Sequence, residues 1–277
     1  MNKNNGLAAV CMIVIVMLAA SVSSQPTVEI GLKTGLSQGT WSAENTGFVS
    51  TIRYALSDMD FTDDFAASSR MGFQAGGFVA VSMSKYFSIQ PELILIKKGV
   101  SVEGSAVREA PSPDAETLTY ILDERISLTY LEIPVLAKLT IPTPGNVRPS
   151  VYIGPAFAFN LSGSDDVYLS VAIESEYSDI FNEYEGNPDI SNLKGSDVGL
   201  VFGGDLRIPS GSINWILDVR YTIGTSKLFD DVNPADIPEI DDEILPTELP
   251  IANHLTGTAS DAKTRVLSVM LGVSIPL

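Results

Sequence analysis

Cysteine is almost missing from this chain: there is one, Cys11, in an apolar run near the N-terminus. Histidine is as scarce, with His254 alone, and basic residues number 17 against 34 acidic ones. After residue 20 no apolar run reaches the roughly 20 residues that a membrane-spanning helix needs. Each shortage excludes something. Beyond that run there is no cysteine, so disulfide scaffolding and thiolate metal sites are ruled out there. A strongly acidic chain with no offsetting basic patch repels nucleic acid, so no nucleic-acid partner is expected.

The N-terminus reads as an export signal. Lys3 supplies a short positive start, and residues 7–20 form a nearly unbroken apolar run. Small residues Ala19, Ala20, Ser21, Ser23 and Ser24 follow, which suits a signal peptidase. Residues 1–24 are therefore expected to be cleaved, near Ser23 to Gln25. The rival reading is an anchoring helix, but a run of about 14 residues is short for that role. Lipidation at Cys11 is disfavoured by bulky Val10 before it and by the apolar run continuing past it. Loss of the signal removes Cys11 and Lys3 and leaves 16 basic against 34 acidic residues, a net charge of −18. Residues 25–277 show no linker and no change of pattern, so they read as one domain.

What fills that domain is strict alternation. Residues 128–139, LTYLEIPVLAKL, place Leu131, Ile133, Val135, Ala137 and Leu139 on one face. Tyr130, Glu132, Pro134, Leu136 and Lys138 lie on the other. Seven more stretches read as strands, at about 27–37, 71–84, 87–102, 147–161, 196–208, 213–226 and 262–277, with this fourth strand running over 118–141. Long polar connections at 38–70, 103–117, 162–195 and 227–261 alternate with short ones at 85–86, 142–146 and 209–212, and within 162–195 the stretch from Tyr168 to Ile173 reads as a continuation of the hairpin above the membrane. Outer-membrane barrels have this pattern, with short periplasmic turns and long extracellular loops. An even strand count leaves both termini on the short-turn side. The sequence therefore predicts an all-β fold: an eight-stranded, antiparallel, up-and-down transmembrane β-barrel with long acidic extracellular loops. It would lie in the outer membrane of a Gram-negative cell.

Several segments resemble the PorT-like outer-membrane β-barrel family of Bacteroidota and their relatives. They are GLKTGLS at 31–37, GFQAGGFVAVSMSKYFSIQPELILIKKG at 72–99 and YLEIPVLAKL at 130–139. VYIGPAFAFNL at 151–161, DVGLVFGGDL at 197–206 and the closing LSVMLGVSIPL complete the set. The QPEL hairpin followed by YLEIP is the most specific part. The resemblance implies an eight-stranded barrel without an established activity. Leu277 departs from the aromatic residue that ends many outer-membrane barrels.

In a membrane barrel the polar faces point inward. They bring together Glu29, Lys33, Gln74, Gln90, Glu92, Glu132, Lys138, Asp205, Arg207, Asp218 and Arg220, with acids and bases nearly balanced. Eight strands make a barrel that side chains just fill, so a packed, ion-paired interior without an open channel is expected. Acid–base catalysis or proton conduction is the functional reading of these carboxylates, and a salt-bridge network is the plainer one. Pro91, Pro134 and Pro155 fall inside strands, and bulges are expected at each. Tyr86, Phe87 and Trp215 beside the short turns suit an interfacial aromatic girdle.

No catalytic, cofactor-binding or metal-binding residue is assigned. His254 sits in an acidic loop without a Gly-x-Ser-x-Gly elbow, and reads as a loop residue. Asp230, Asp231, Glu239, Asp241, Asp242 and Glu243 could attract Ca²⁺, but their spacing matches no EF-hand. The expected function is a non-enzymatic outer-membrane barrel with a structural or partner-binding role carried by its extracellular loops. Its expected partners are membrane lipid, lipopolysaccharide and an extracellular or periplasmic protein. Alternatives are a lipid-modifying enzyme at the rim, a soluble lipocalin-like ligand barrel, and a transport pore.

Overall fold

The computed structural model describes residues 27–41, 62–109, 116–174, 179–187, 193–228 and 263–277. The signal region, His254 and the acidic cluster from Asp230 to Glu243 lie outside these residues. Ten strands follow one another: β1 (Thr27–Trp41), β2 (Thr62–Asp63), β3 (Ala66–Ser82), β4 (Phe87–Arg108) and β5 (Thr117–Thr140). Then come β6 (Arg148–Glu174), β7 (Asp179–Gly186), β8 (Ser196–Ser210), β9 (Ile213–Gly224) and β10 (Thr264–Pro276). Every pairing is antiparallel.

Eight of the strands form a closed ring in the order β1, β3, β4, β5, β6, β8, β9, β10 and back to β1. The first and last strands close it, in register from Glu29↔Pro276 to Trp41↔Thr264. The small strands β2 and β7 stand outside the ring, paired with the far ends of β4 and β6.

The alternation is inverted relative to a soluble sheet. Leu32, Leu36, Leu93, Leu139, Val151 and Leu271 point outward and are exposed. Lys33, Gln90, Glu92, Lys138 and Asp218 point inward and are buried. A lipocalin-like barrel would reverse the two sets, so that reading is not kept. On β10 the outward apolar row runs from Leu267 to Ile275. That is close to the 9–11 residues with which a tilted strand crosses a bilayer. Near the short turns, Trp215 is exposed on the outer wall, and Tyr86 is exposed in the turn at 83–86.

Two bulges mark where the wall leaves the membrane. Between β5 and β6 the register passes from Tyr130↔Asn160 to Thr129↔Ser162, so Leu161 is an extra residue. Even-numbered residues of β6 face inward below it, and Asp165, Val167, Leu169 and Val171 face inward above it. A second shift falls between Ser69 and Gln74 of β3. An extra residue turns the following side chains to the other face.

Parts of three expected loops are strand: within 38–70 lie the end of β1, all of β2 and the start of β3. β4 continues to Arg108, β5 begins at Thr117, β6 continues to Glu174 and β7 pairs with it. The reason is burial: Val102, Leu122, Val167, Leu169 and Val171 pack into an apolar cluster of their own. Asp64 ties β2 to this extension, accepting from the Ser105 backbone N–H at 2.6 Å.

The prolines do not make bulges. The β4–β5 ladder is open between Pro91↔Val135 and Ile94↔Glu132, and resumes in unchanged register. The β5–β6 ladder likewise opens between Pro134↔Ala156 and Ala137↔Ile153, and Pro155↔Leu200 stays in register. A proline removes one donor but adds no residue, so a closed ring can absorb it as a local gap.

Leu271 lies in the middle of the outward row, and Leu271→Arg should cost about 2–4 kcal/mol in a bilayer. Urea unfolding from liposomes measures this. An unchanged midpoint would mean that this wall does not face hydrocarbon.

Candidate functional site

The interior is built in layers along the barrel axis. In the lower layer, Lys33 (β1), Glu92 (β4) and Asp218 and Arg220 (β9) meet at the centre. The Lys33 ammonium donates to Glu92 Oε1 at 2.8 Å and to Asp218 Oδ2 at 2.6 Å. Arg220 Nη1 donates to Glu92 Oε2 at 2.6 Å. Its Nε and Nη2 fork the Asp218 carboxylate at 3.1 and 2.9 Å. Tyr152 OH donates to Asp218 Oδ1 at 2.6 Å, and Gln90 Nε2 to Glu92 Oε1 at 2.6 Å. Two cations and two carboxylates thus cancel within one buried hydrogen-bonded cluster. Aromatic faces cover the cations: Lys33 Nζ lies 5.0 Å from the Phe78 ring centre, and the Arg220 guanidinium 5.6 Å from that of Tyr152. Gly31 and Gly203 make room for these rings. A Cβ on Gly31 would come within 2.4 Å of Phe78, and one on Gly203 within 2.7 Å of the Tyr152 hydroxyl.

Further pairs flank the cluster. Lys138 bonds Asp205, and Arg207 Nη1 meets Glu29 Oε2 at 2.7 Å. Higher up, Lys98 pairs with Glu132 under the Tyr130 ring. Between and above the charges the interior is apolar. Leu136, Tyr152, Ala156 and Val201 form one cluster. Trp41, Ile96, Val100, Ile126, Leu128 and Val266 belong to another.

The inward set expected from sequence is therefore gathered in one place. Glu29, Lys33, Gln74, Gln90, Glu92, Glu132, Lys138, Asp205, Asp218 and Arg220 are all buried, and Arg207 is nearly so. Sequence reasoning missed Lys98, although the even-numbered parity from Gln90 onward points to it. It also missed how much of the interior is apolar, because Ile94 and Ile96 interrupt the polar series.

Above the membrane, Asp165 is buried between the two upper apolar clusters, facing Glu124 of β5. The Leu161 bulge concealed this position in the sequence. Burial pushes the Asp165 carboxyl up to about 7, reinforced by the neighbouring charge of Asp166 and opposed by the adjacent Glu124 side chain. Among the described residues no cluster of three or more His, Cys, Asp or Glu is arranged to hold a metal ion.

A closed ring with an apolar outer belt and a neutralised polar interior defines an integral outer-membrane β-barrel. The chain belongs to the family described as the outer membrane protein beta-barrel domain, whose model matches residues 23–230. No curated protein sequence matches the chain. Among solved structures it is similar to OprG of Pseudomonas aeruginosa, at 9% identity and a TM-score of 0.43, over 92% of this chain and 98% of that one. It is also similar to Neisserial surface protein A, at 12% identity and a TM-score of 0.39, over 90% and 96% of the two chains. Ail of Yersinia pestis, solved with the heparin analogue sucrose octasulfate, matches at 10% identity and 0.34, over 91% and 100%.

Removing Arg220 would leave Glu92 and Asp218 buried with Lys33 as their one remaining cation. Arg220→Ala should cost about 3–5 kcal/mol, as breaking a buried ion pair does, measured by equilibrium unfolding in detergent. Asp165 makes a separate prediction about pH. The folded state holds its proton more tightly than the unfolded chain, whose carboxyl titrates near pH 4. The stability it confers is complete below about pH 4 and is lost as pH rises through about 7. Asp165→Asn should flatten that slope and raise the melting temperature at pH 8, as thermal scans across pH 4–8 would show.

Proposed function

We propose that this protein is a non-conducting, non-enzymatic outer-membrane barrel that holds a β-sheet platform above the bilayer for binding a partner. The buried Lys33–Glu92–Asp218–Arg220 cluster carries this reading. It spans the ring from β1 to β4 to β9 at one level, which supports a strut rather than a pore. Each of its carboxylates is engaged by two cations, which disfavours acid–base work at this site.

The platform is the continuation of β4, β5 and β6 beyond the bulges, widened by β7. Among the described residues, β7 pairs only with β6, so its other edge offers backbone groups for strand addition. Phe181, Glu183 and Glu185 are exposed along it. This combination suits a basic partner segment that adds a strand. The surface acidity read from the sequence supports the same preference.

Within the family we assign the chain to the PorT-like kind. The supporting observation is the pairing of its two most specific motifs. QPEL lies on β4 and YLEIP on β5, adjacent at Pro91↔Val135 and Ile94↔Glu132. Gln90, Glu92 and Glu132 from these motifs all point inward and are buried.

Planar-bilayer recording of the refolded full-length protein tests the closed interior. No stable conductance step is expected for the native protein. A reproducible step would replace this reading with that of a pore.

A further inference from the structure

The lower ion-pair layer does not reach the end of the barrel. Beneath it, on the short-turn side, a cavity of about 630 Å³ opens toward the periplasm. Its walls are the turns at 83–86 and 141–147 with the adjoining ends of β4, β6 and β8. Three cations line it, Lys85, Arg148 and Arg207, together with hydroxyls that include Ser82, Ser88 and Ser150, and among the described residues no carboxylate does. In a chain of net charge −17, such a lining runs against the overall composition.

The arginines are placed against each other. Arg148 and Arg207 are direct cross-strand partners in the β6–β8 ladder, and like charges in that position repel. Glu29, beside the cavity, meets Arg207 Nη1 at 2.7 Å and offsets one charge. Arg207 Nε is buried without an acceptor among the described residues. Arg148 is exposed and has no carboxylate partner among the described residues. The Lys85 ammonium is held at the mouth, 4.7 Å from the Tyr86 ring centre. After Glu29 is counted, about two positive charges remain for an occupant. A phosphate monoester carries about −1.5 to −2 at neutral pH, and its oxygens match the guanidinium fork. The cavity is larger than a phosphate, which leaves room for the group that carries it.

We propose that the periplasmic mouth of this barrel is a phosphate-binding site, taking the phosphate of a small polar ester or of an inner-leaflet lipid headgroup. The occupant's charge relieves the Arg148–Arg207 repulsion, and the wall hydroxyls donate to its remaining oxygens. The site is a pocket and not a passage, because the ion-pair layer seals it from above.

The test uses the full-length barrel in a maltoside detergent, which carries no phosphate. Inorganic phosphate and glycerol 3-phosphate are titrated calorimetrically at constant ionic strength, and phosphatidic acid binding is followed by native mass spectrometry. Saturable binding of at least one probe is expected. Lys85→Gln and Arg148→Gln should each weaken it at least 5-fold, and the double variant at least 20-fold. Both side chains lie outside the ion-pair layer, so the melting temperature should stay within about 2 °C. Arg125→Gln, on the extracellular extension, should leave binding unchanged. Binding of the soluble esters assigns the site to a small molecule, and binding of phosphatidic acid alone assigns it to a headgroup. No binding of any probe, or equal binding by the double variant, overturns the proposal.

Discussion

Hydrocarbon offers a peptide group nothing to bond with, and this constraint governs the rest of the molecule. An open sheet would leave two strand edges unsatisfied in the membrane, each group costing several kcal/mol. The remedy is the pairing of β1 with β10, which joins the two ends of the chain along thirteen register pairs. Once the ring is closed, each strand has two neighbours and every side chain must face either lipid or the interior. The inverted alternation follows directly. The proline gaps show how little slack remains: the ladder opens beside Pro91 and Pro134 and closes again in the same register.

Closure creates a second problem, because it encloses polar side chains in a space from which water is largely excluded. Charges there are stable only when paired and hydrogen-bonded. The chain meets this with a cluster whose charges cancel locally, drawn from β1, β4 and β9. Tyr152 and Gln90 occupy positions on the same carboxylates. The glycines opposite Phe78 and Tyr152 belong to the same solution, since an eight-stranded ring has no width to spare for rings and charges at one level.

Asymmetry along the axis gives the two ends different chemistry. The extracellular end is wall without ring: β4, β5 and β6 rise past the membrane and bury their own apolar cluster. The bulge at Leu161 makes this possible by turning Val167, Leu169 and Val171 to the covered side. The periplasmic end is short, with tight turns and a basic lining. The extended wall on one side and the basic-lined cavity on the other are separated by the buried ion-pair layer.

Most of this fold was legible in the residues before any coordinates. Side-chain alternation has a period of two wherever a strand separates two environments, so Leu32 against Lys33 or Leu139 against Lys138 was enough to assign faces. The inward charged set followed from the same parity. Reading stopped at two places, each for a physical reason. Leu161 shifted the parity of β6, and a one-residue bulge has no compositional mark, so Asp165 looked like a loop residue. In the extracellular extension 118–141 read as strand and 168–173 as a continued hairpin, whereas β4 beyond 102 and the rest of β6 beyond 161 are stabilised by contacts between strands rather than by any local pattern, and so they read as loop. The sequence alone determined the alternation, the inverted polarity and the outer-membrane address, because these depend on neighbouring residues and their surroundings. Only the tertiary structure decided which charges meet, where Arg148 stands relative to Arg207, and how far the wall rises, because these depend on register between strands remote in the chain.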